Sequence, residues 1–198
     1  LEVQNFQFEN GDLGTLYADA NYNDKEGKIN IDAYADGGDG TRTDIKGYVD
    51  IKKSYINLPI FANTSHLYFL KTFCGSFMDN IEIQGNGWCT VIGPLSAINL
   101  EGDMQVNGSV HVMPIGVTYT MRDARVRIIP NEIIFGNDTI TDSKGNIGLV
   151  TGGLHHTNLT HLTYDINIFA RNLLSYNFRK KLGKESFWGM VYATGKCN

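Results

Sequence analysis

The run Ile98-Asn99-Leu100-Glu101-Gly102-Asp103-Met104-Gln105-Val106-Asn107-Gly108-Ser109-Val110-His111-Val112 sorts its residues by parity. Every even position is apolar or glycine, and every odd position is polar. A helix would scatter such a set around its axis, whereas a strand sends successive side chains to opposite faces. The run therefore reads as a strand with one dry face and one wet face. Fully extended it would reach about 50 Å at roughly 3.3 Å per residue, far beyond a common strand, so bends are expected at Gly102 and Gly108. After Met113-Pro114 the parity flips: Ile115, Val117, Tyr119 and Met121 are apolar, and Thr118, Thr120 and Arg122 oppose them. A turn or bulge at Met113-Pro114 would bring the same face inward again.

The same pattern extends in both directions. Upstream, strands are expected over residues 14–23, 28–35, 42–50 and 55–62, separated by Asn-, Asp- and Gly-rich turns such as Asp36-Gly37-Gly38-Asp39-Gly40. Ile29, Ile31, Ala33 and Ala35 share one face of the second of these. Downstream, strands are expected from Ile81 onward and over residues 125–129, 132–135, 148–154, 162–170 and 187–193. One interval breaks the period: Leu67, Leu70, Phe73, Cys74, Phe77 and Met78 recur at spacings of three and four, behind the potential cap residues Thr64 and Ser65. This predicts a short amphipathic helix laid over an open end or edge of the sheet. The chain divides into a β-meander at 1–63, the helix at 64–79, and a long β-segment at 80–198 continuous with the meander.

Composition agrees with this reading. The 198 residues include 22 Gly, 10 Tyr and 10 Phe but 4 Pro, which suits strands and tight turns. The 17 basic and 21 acidic residues, net charge -4, are dispersed and form no patch for a phosphate backbone, so nucleic acid is not an expected partner. No apolar run approaches the roughly 20 residues that span a bilayer, and the start does not resemble a leader, so any export signal or anchor is expected outside this sequence. The three cysteines, Cys74, Cys89 and Cys197, leave at least one unpaired; buried free thiols are preferred over a Cys74–Cys89 bridge.

Signals for chemistry are weak. His155, His156 and His161 flank a turn without Cys or carboxylate at ligand spacing, so no metal is expected. The segment 36–40 lacks the alternating carboxylates and closing Glu of a calcium loop. Gly145-Asn146-Ile147-Gly148 and Thr151-Gly152-Gly153 are not followed by a helix that would orient a phosphate. With no nucleophile elbow, no Cys–His constellation and no paired carboxylates, an enzyme is not expected, and neither is a cofactor.

A long strand with a dry face must cover it by closing a barrel, packing a second sheet, or folding into a gutter that meets lipid. Periodicity alone leaves these alternatives open, with a sandwich core the simplest. The segment Gly93-Pro94-Leu95-Ser96-Ala97-Ile98-Asn99-Leu100-Glu101-Gly102, continuing through Gly108, resembles the C-terminal region of TamB-like translocation and assembly proteins. So do, in order, Ile81-Glu82-Ile83-Gln84-Gly85, the run from Arg125 to Phe135, Lys144 to Gly153, and Tyr164 to Leu173. The likeness covers most of the chain after residue 64. Trp88-Cys89, and Asn86 between two glycines, depart from the usual pattern and leave the groove width there open.

The resemblance implies an all-β chain whose long antiparallel sheet folds into a taco or gutter with an apolar interior. It implies a periplasmic segment of an inner-membrane-anchored protein in a Gram-negative envelope. Its partners would be phospholipid acyl chains in transit to the outer membrane and an outer-membrane barrel of the TamA/BamA type in autotransporter assembly. It brings no catalytic residues. The expected lipid-facing lining is Ile98, Leu100, Met104, Val106, Val110, Val112, Val117 and Tyr119, and a charge there, as in Val106→Asp, is expected to block lipid while sparing expression. A structural or adhesin-like β-module, with two sheets in full contact, and a strand-pairing chaperone for outer-membrane barrels are the alternatives.

Overall fold

The fold was obtained as a computed structural model, which describes residues 1–8, 11–67, 70–71, 75–157, 160–178 and 188–197. The strands are β1 (Glu2–Val3), β2 (Gln7–Phe8), β3 (Gly11–Asp12), β4 (Thr15–Asn23), β5 (Lys28–Gly38), β6 (Thr41–Asp50) and β7 (Tyr55–His66). They continue as β8 (Met78–Pro94), β9 (Asn99–Val112), β10 (Val117–Ile129), β11 (Glu132–Thr141), β12 (Ile147–Thr157), β13 (Thr160–Phe178) and β14 (Gly189–Cys197). All but β2 and β3, which form a separate two-stranded ribbon, belong to one 12-stranded sheet in the order β1-β4-β5 and onward to β14. Every pairing is antiparallel and each long strand lies beside its sequence neighbours. The expectation of an all-β, antiparallel chain is met by one open sheet whose first and last strands do not pair.

Register carries the alternation of single strands across the whole sheet. Directly opposed residues in an antiparallel pair point to the same side. One row of partners runs Ala18, Ala33, Ile45, Ile60, Cys89, Gly102, Ile128, Ile133, Leu154, Tyr164 from β4 to β13, with no charged residue. The adjoining row on the other face runs Tyr17, Tyr34, Asp44, Phe61, Trp88, Asp103, Arg127. One face is thus apolar over ten strands, and its reverse is polar and aromatic. On the reverse, Tyr17 stacks on Tyr34 at 4.8 Å, Arg42 lies 3.9 Å over the Tyr34 ring, and Lys46 pairs with Asp32 at 2.7 Å.

Long strands keep their face inward by means of bulges. At five of the register slips a non-glycine residue with positive φ takes up the extra length: Thr64 at 53°, Asn80 at 45°, Asp123 at 52°, Asn137 at 59° and Asn172 at 56°. The amides of Thr64, Asp123 and Asn172 donate to the side chains of Asn86, Asn107 and Thr194 at 2.7, 2.8 and 2.9 Å. Each acceptor directly precedes a glycine. Gly108 shows why: its φ is 139°, and a Cβ there would lie 1.9 Å from the Glu82 carbonyl oxygen. Gly108 accordingly sits at a bend, as its place in the alternating run suggested. Gly102 serves close approach instead, since a Cβ would meet the Trp88 carbonyl oxygen at 2.4 Å.

The expected helix is not shown as such: among the described residues of the interval only Leu70 and Lys71 are helical. Ser65 and His66 stay in β7, the Leu67 amide donates to Ile83 O at 2.9 Å, and Met78 already belongs to β8. Leu70 and Lys71 are helical, and the Gly75 amide donates to Lys71 O at 2.9 Å, closing one turn. Sheet pairing at both ends of the interval wins over the three-and-four spacing. Residues 68, 69 and 72–74 of that expectation, including Phe73 and Cys74, lie outside the described residues. Leu67, which continues the β7–β8 ladder, is 8% exposed among Ile83, Met104 and Val106.

Two cores form on the apolar face. The first gathers Leu67, Ile83, Met104, Val106, Ala124 and Ile128 over β8–β10. The second gathers Val117, Tyr119, Ile140, Leu173 and Leu174 between β10, β11 and β13. In a flat sheet β10 and β13 would stand about 14 Å apart, three ladder spacings. Here the Tyr119 hydroxyl donates to Leu174 O at 2.8 Å and the Asn177 amide donates to Ile115 O at 2.8 Å. The sheet folds inward at this end, and this fold is local.

Candidate functional site

Across β4–β7 and residues 87–94 of β8 no described strand lies over the apolar face, since apart from β10 with β13 the extensive contacts join ladder neighbours only; within it the small side chains of Ala33 and Ala35 are buried. Its lining includes Ile31, Ile45, Val49, Ile56, Leu58, Ile60 and Val91, all half-buried by their neighbours and open outward. None of the residues sharing this face on the five strands is charged. Of its hydroxyl-bearing members, Thr43 is bonded to the Ser65 hydroxyl at 2.7 Å, and Ser65 donates on to Arg42 O at 2.8 Å. The patch is about 20 Å wide and 30 Å long, at the upper end of the apolar patches found on monomers. The whole chain exposes 12221 Å², roughly a third more than the ~9,300 Å² of a compact domain of 22.0 kDa.

The residues expected to line a groove are divided by the structure. Met104 and Val106, 6% and 5% exposed, are in the first core, and Leu100 packs at its margin. Val117 and Tyr119, 1% and 7% exposed, are in the second, with Val112 beside it. Val110 is buried between these regions, and Ile98 lies half-buried in the turn before β9, in neither core. They share one face, as their parity suggested, but most of them are covered by the chain's own side chains. The uncovered lining lies on the earlier strands. The signal that could have located it is the alternation in residues 28–35 and 42–50, coupled with the lack of any later apolar segment to cover those strands.

Cys89 stands where the uncovered face meets the first core. Burial pushes its thiol up to about 11, so it stays protonated at neutral pH and behaves as a small apolar group. Cys89 and Cys197 are free thiols. At the second core the charged group is Asp142, 5% exposed, in the β11–β12 turn. Its carboxylate accepts from the Lys144 and Asn146 amides, the Asn146 side chain, and the Leu174 amide at 2.8 Å. Burial acts to raise this carboxyl, but the donated hydrogen bonds outweigh it and hold it below the usual carboxylate value. Burial first, and the Asp142 charge second, push the Tyr119 phenol up to about 12.

The remaining candidates fall into ordinary structure. Asp36 accepts from the Gly38 amide at 2.9 Å at the end of β5, just before the turn to β6. His155 lies 3.8 Å from Glu132, His156 is buried on β12, and His161 is on β13. Among the described residues no three His, Cys, Asp or Glu side chains come together as a metal site, and no helix is long and apolar enough to cross a membrane. Comparison with protein-family models, with curated proteins and with solved structures finds no match for this chain.

Proposed function

We propose that this chain is a non-catalytic lipid-sheltering β-module, working in the periplasm as a segment of a TamB-like protein that passes phospholipid between membranes and serves outer-membrane protein assembly. The observation that carries the reading is the uncharged apolar face over β4–β8, left without a covering layer while its reverse is polar. Each acyl CH₂ laid on it is sheltered by about 0.8 kcal/mol, so a continuous apolar strip suffices without selective groups. The order of motifs after residue 64 is a second, independent support.

Val106→Asp is a poor test, because Val106 is 5% exposed and a carboxylate there would disrupt the first core. Leu58→Asp places the charge on the uncovered face instead. Purified from a Gram-negative envelope, the wild-type chain is expected to carry phospholipid detectable by mass spectrometry, and Leu58→Asp to lose most of it at unchanged β-content. Phospholipid absent from both, or equal in both, overturns the proposal. A structural module is the second reading, favoured by the closed core around Leu173 and Leu174. It predicts the absence of lipid from both proteins.

A further inference from the structure

Three turns at one end of β4–β9 are joined into a rim. The Ile51 amide, in the β6–β7 turn, donates to Gly27 O in the β4–β5 turn at 2.9 Å, and the Leu95 amide, in the β8–β9 turn, donates to Ser54 O at 2.7 Å. Lys52 arches over Gly27, where a Cβ would lie 2.4 Å from its side-chain carbons, and its Nζ donates to the carbonyls of Asp24 and Lys25 at 3.1 and 3.2 Å. Turns of this kind are usually built from small and polar residues. Here they expose Ile51 at 50% and Leu95 at 45%, beside Tyr22 at 58% near the end of β4. Lys25 and Lys53 are exposed on the same turns, and neither forms an ion pair among the described residues. The opposite end of these strands differs. There, residues 36–44 hold three aspartates and no lysine, and their one cation, Arg42, is paired with Asp44 at 2.8 Å.

We propose that this rim docks on the anionic surface of a phospholipid bilayer. Ile51, Leu95 and Tyr22 enter the interfacial layer, and Lys25 and Lys53 meet the lipid phosphates. Aliphatic side chains, a tyrosine and lysines on one exposed edge are the composition that suits that layer. Charge selects the same partner and sets its orientation, with the lysine-bearing end on the anionic surface and the aspartate-bearing end away from it. The dry face runs to this rim without a charged barrier, since Tyr22, Ile29, Val49 and Ile56 are register partners along its last row. An acyl chain leaving the bilayer at the rim therefore moves onto the dry face directly, a step that rests on the sheltering role proposed above, whereas docking itself does not.

Flotation of the full chain with vesicles tests the rim. Binding to vesicles containing phosphatidylglycerol is expected to exceed binding to vesicles of phosphatidylcholine alone, and to fall as salt is raised. Ile51→Ser should weaken binding about tenfold through lost apolar insertion, and Lys53→Glu at least about fivefold. Both should retain the circular dichroism spectrum, because both side chains are exposed. Asp39→Asn, at the opposite end, should not weaken it. Should Ile51→Ser fail to fold, Leu95→Ser reads the same insertion. No binding by the wild-type chain, binding indifferent to the rim variants, or a loss equally produced by Asp39→Asn would overturn the proposal. Lipid carried by purified Leu58→Asp reads the sheltering face and flotation reads the rim, so either can fail while the other stands.

Discussion

The strands β4–β7 and β10–β13 share one design and meet opposite fates. Both are antiparallel with apolar residues on a common face, yet β4–β7 leave that face open and β10–β13 fold it over a core. The difference lies in a few groups outside the alternation. In β10–β13, bulges at Asp123, Asn137 and Asn172 bend consecutive strands, and Tyr119, Asn177 and Asp142 supply hydrogen bonds that fasten the far strand to the near one. In β4–β7 the register slips only at the strand ends, at Gly38 (φ 76°) and at Thr64, and cross-strand partners such as Lys46 and Asp32 lie on the wet face. Alternation makes a dry face; bulges and polar clasps decide whether it is buried.

The sharpest way to break this comparison is to truncate both halves. Leu174→Ala, at a site 1% exposed, should cost about 2–5 kcal/mol in denaturant unfolding, because it opens a cavity in the second core. Asp142→Ala should cost about 1.5–3 kcal/mol, since it leaves the Leu174, Lys144 and Asn146 amides without their charged acceptor. A change below 0.5 kcal/mol in either would mean that the clasp does not hold the fold. Acid tests the same clasp more gently. With the Asp142 carboxyl held below its ordinary 3.8, its contribution is present above that value and lost as pH falls through the lower folded value. Unfolding below pH 4 should therefore begin around β10–β13, and Asp142→Ala should flatten that pH dependence. The smallest effect belongs to the open half: Ile31→Ala should cost only about 1 kcal/mol, since its side chain is only half-buried.

Much of this was legible in the sequence, for definite reasons. The alternation from Ile98 to Val112 fixes β9 and its inward face, and the turn around Met113-Pro114 does restore parity, pairing Val112 with Val117. The turn residues at 24–27 and 37–40 delimit β5 to within a few positions. The second parity change, at Asp123, was not legible: Ala124, Val126 and Ile128 face inward only because an exposed aspartate takes a positive φ and leans on Asn107. Nor was the inward fold, whose contacts join Tyr119 to Leu174 over 55 residues. That the chain's own side chains cover most of the expected lining residues was not legible for the same cause. Periodicity reports which face a side chain takes, while coverage depends on long-range contacts that no local pattern records.

The central claim is that the uncovered face over β4–β8 receives acyl chains. Ile45 and Lys46 are consecutive on β6 and point to opposite faces, so they test it within one strand. A photoreactive residue at each position, irradiated in the presence of phospholipid vesicles, is expected to crosslink to lipid from position 45 and not from position 46. Equal crosslinking from both positions, or none from position 45 in a folded chain, would contradict the account.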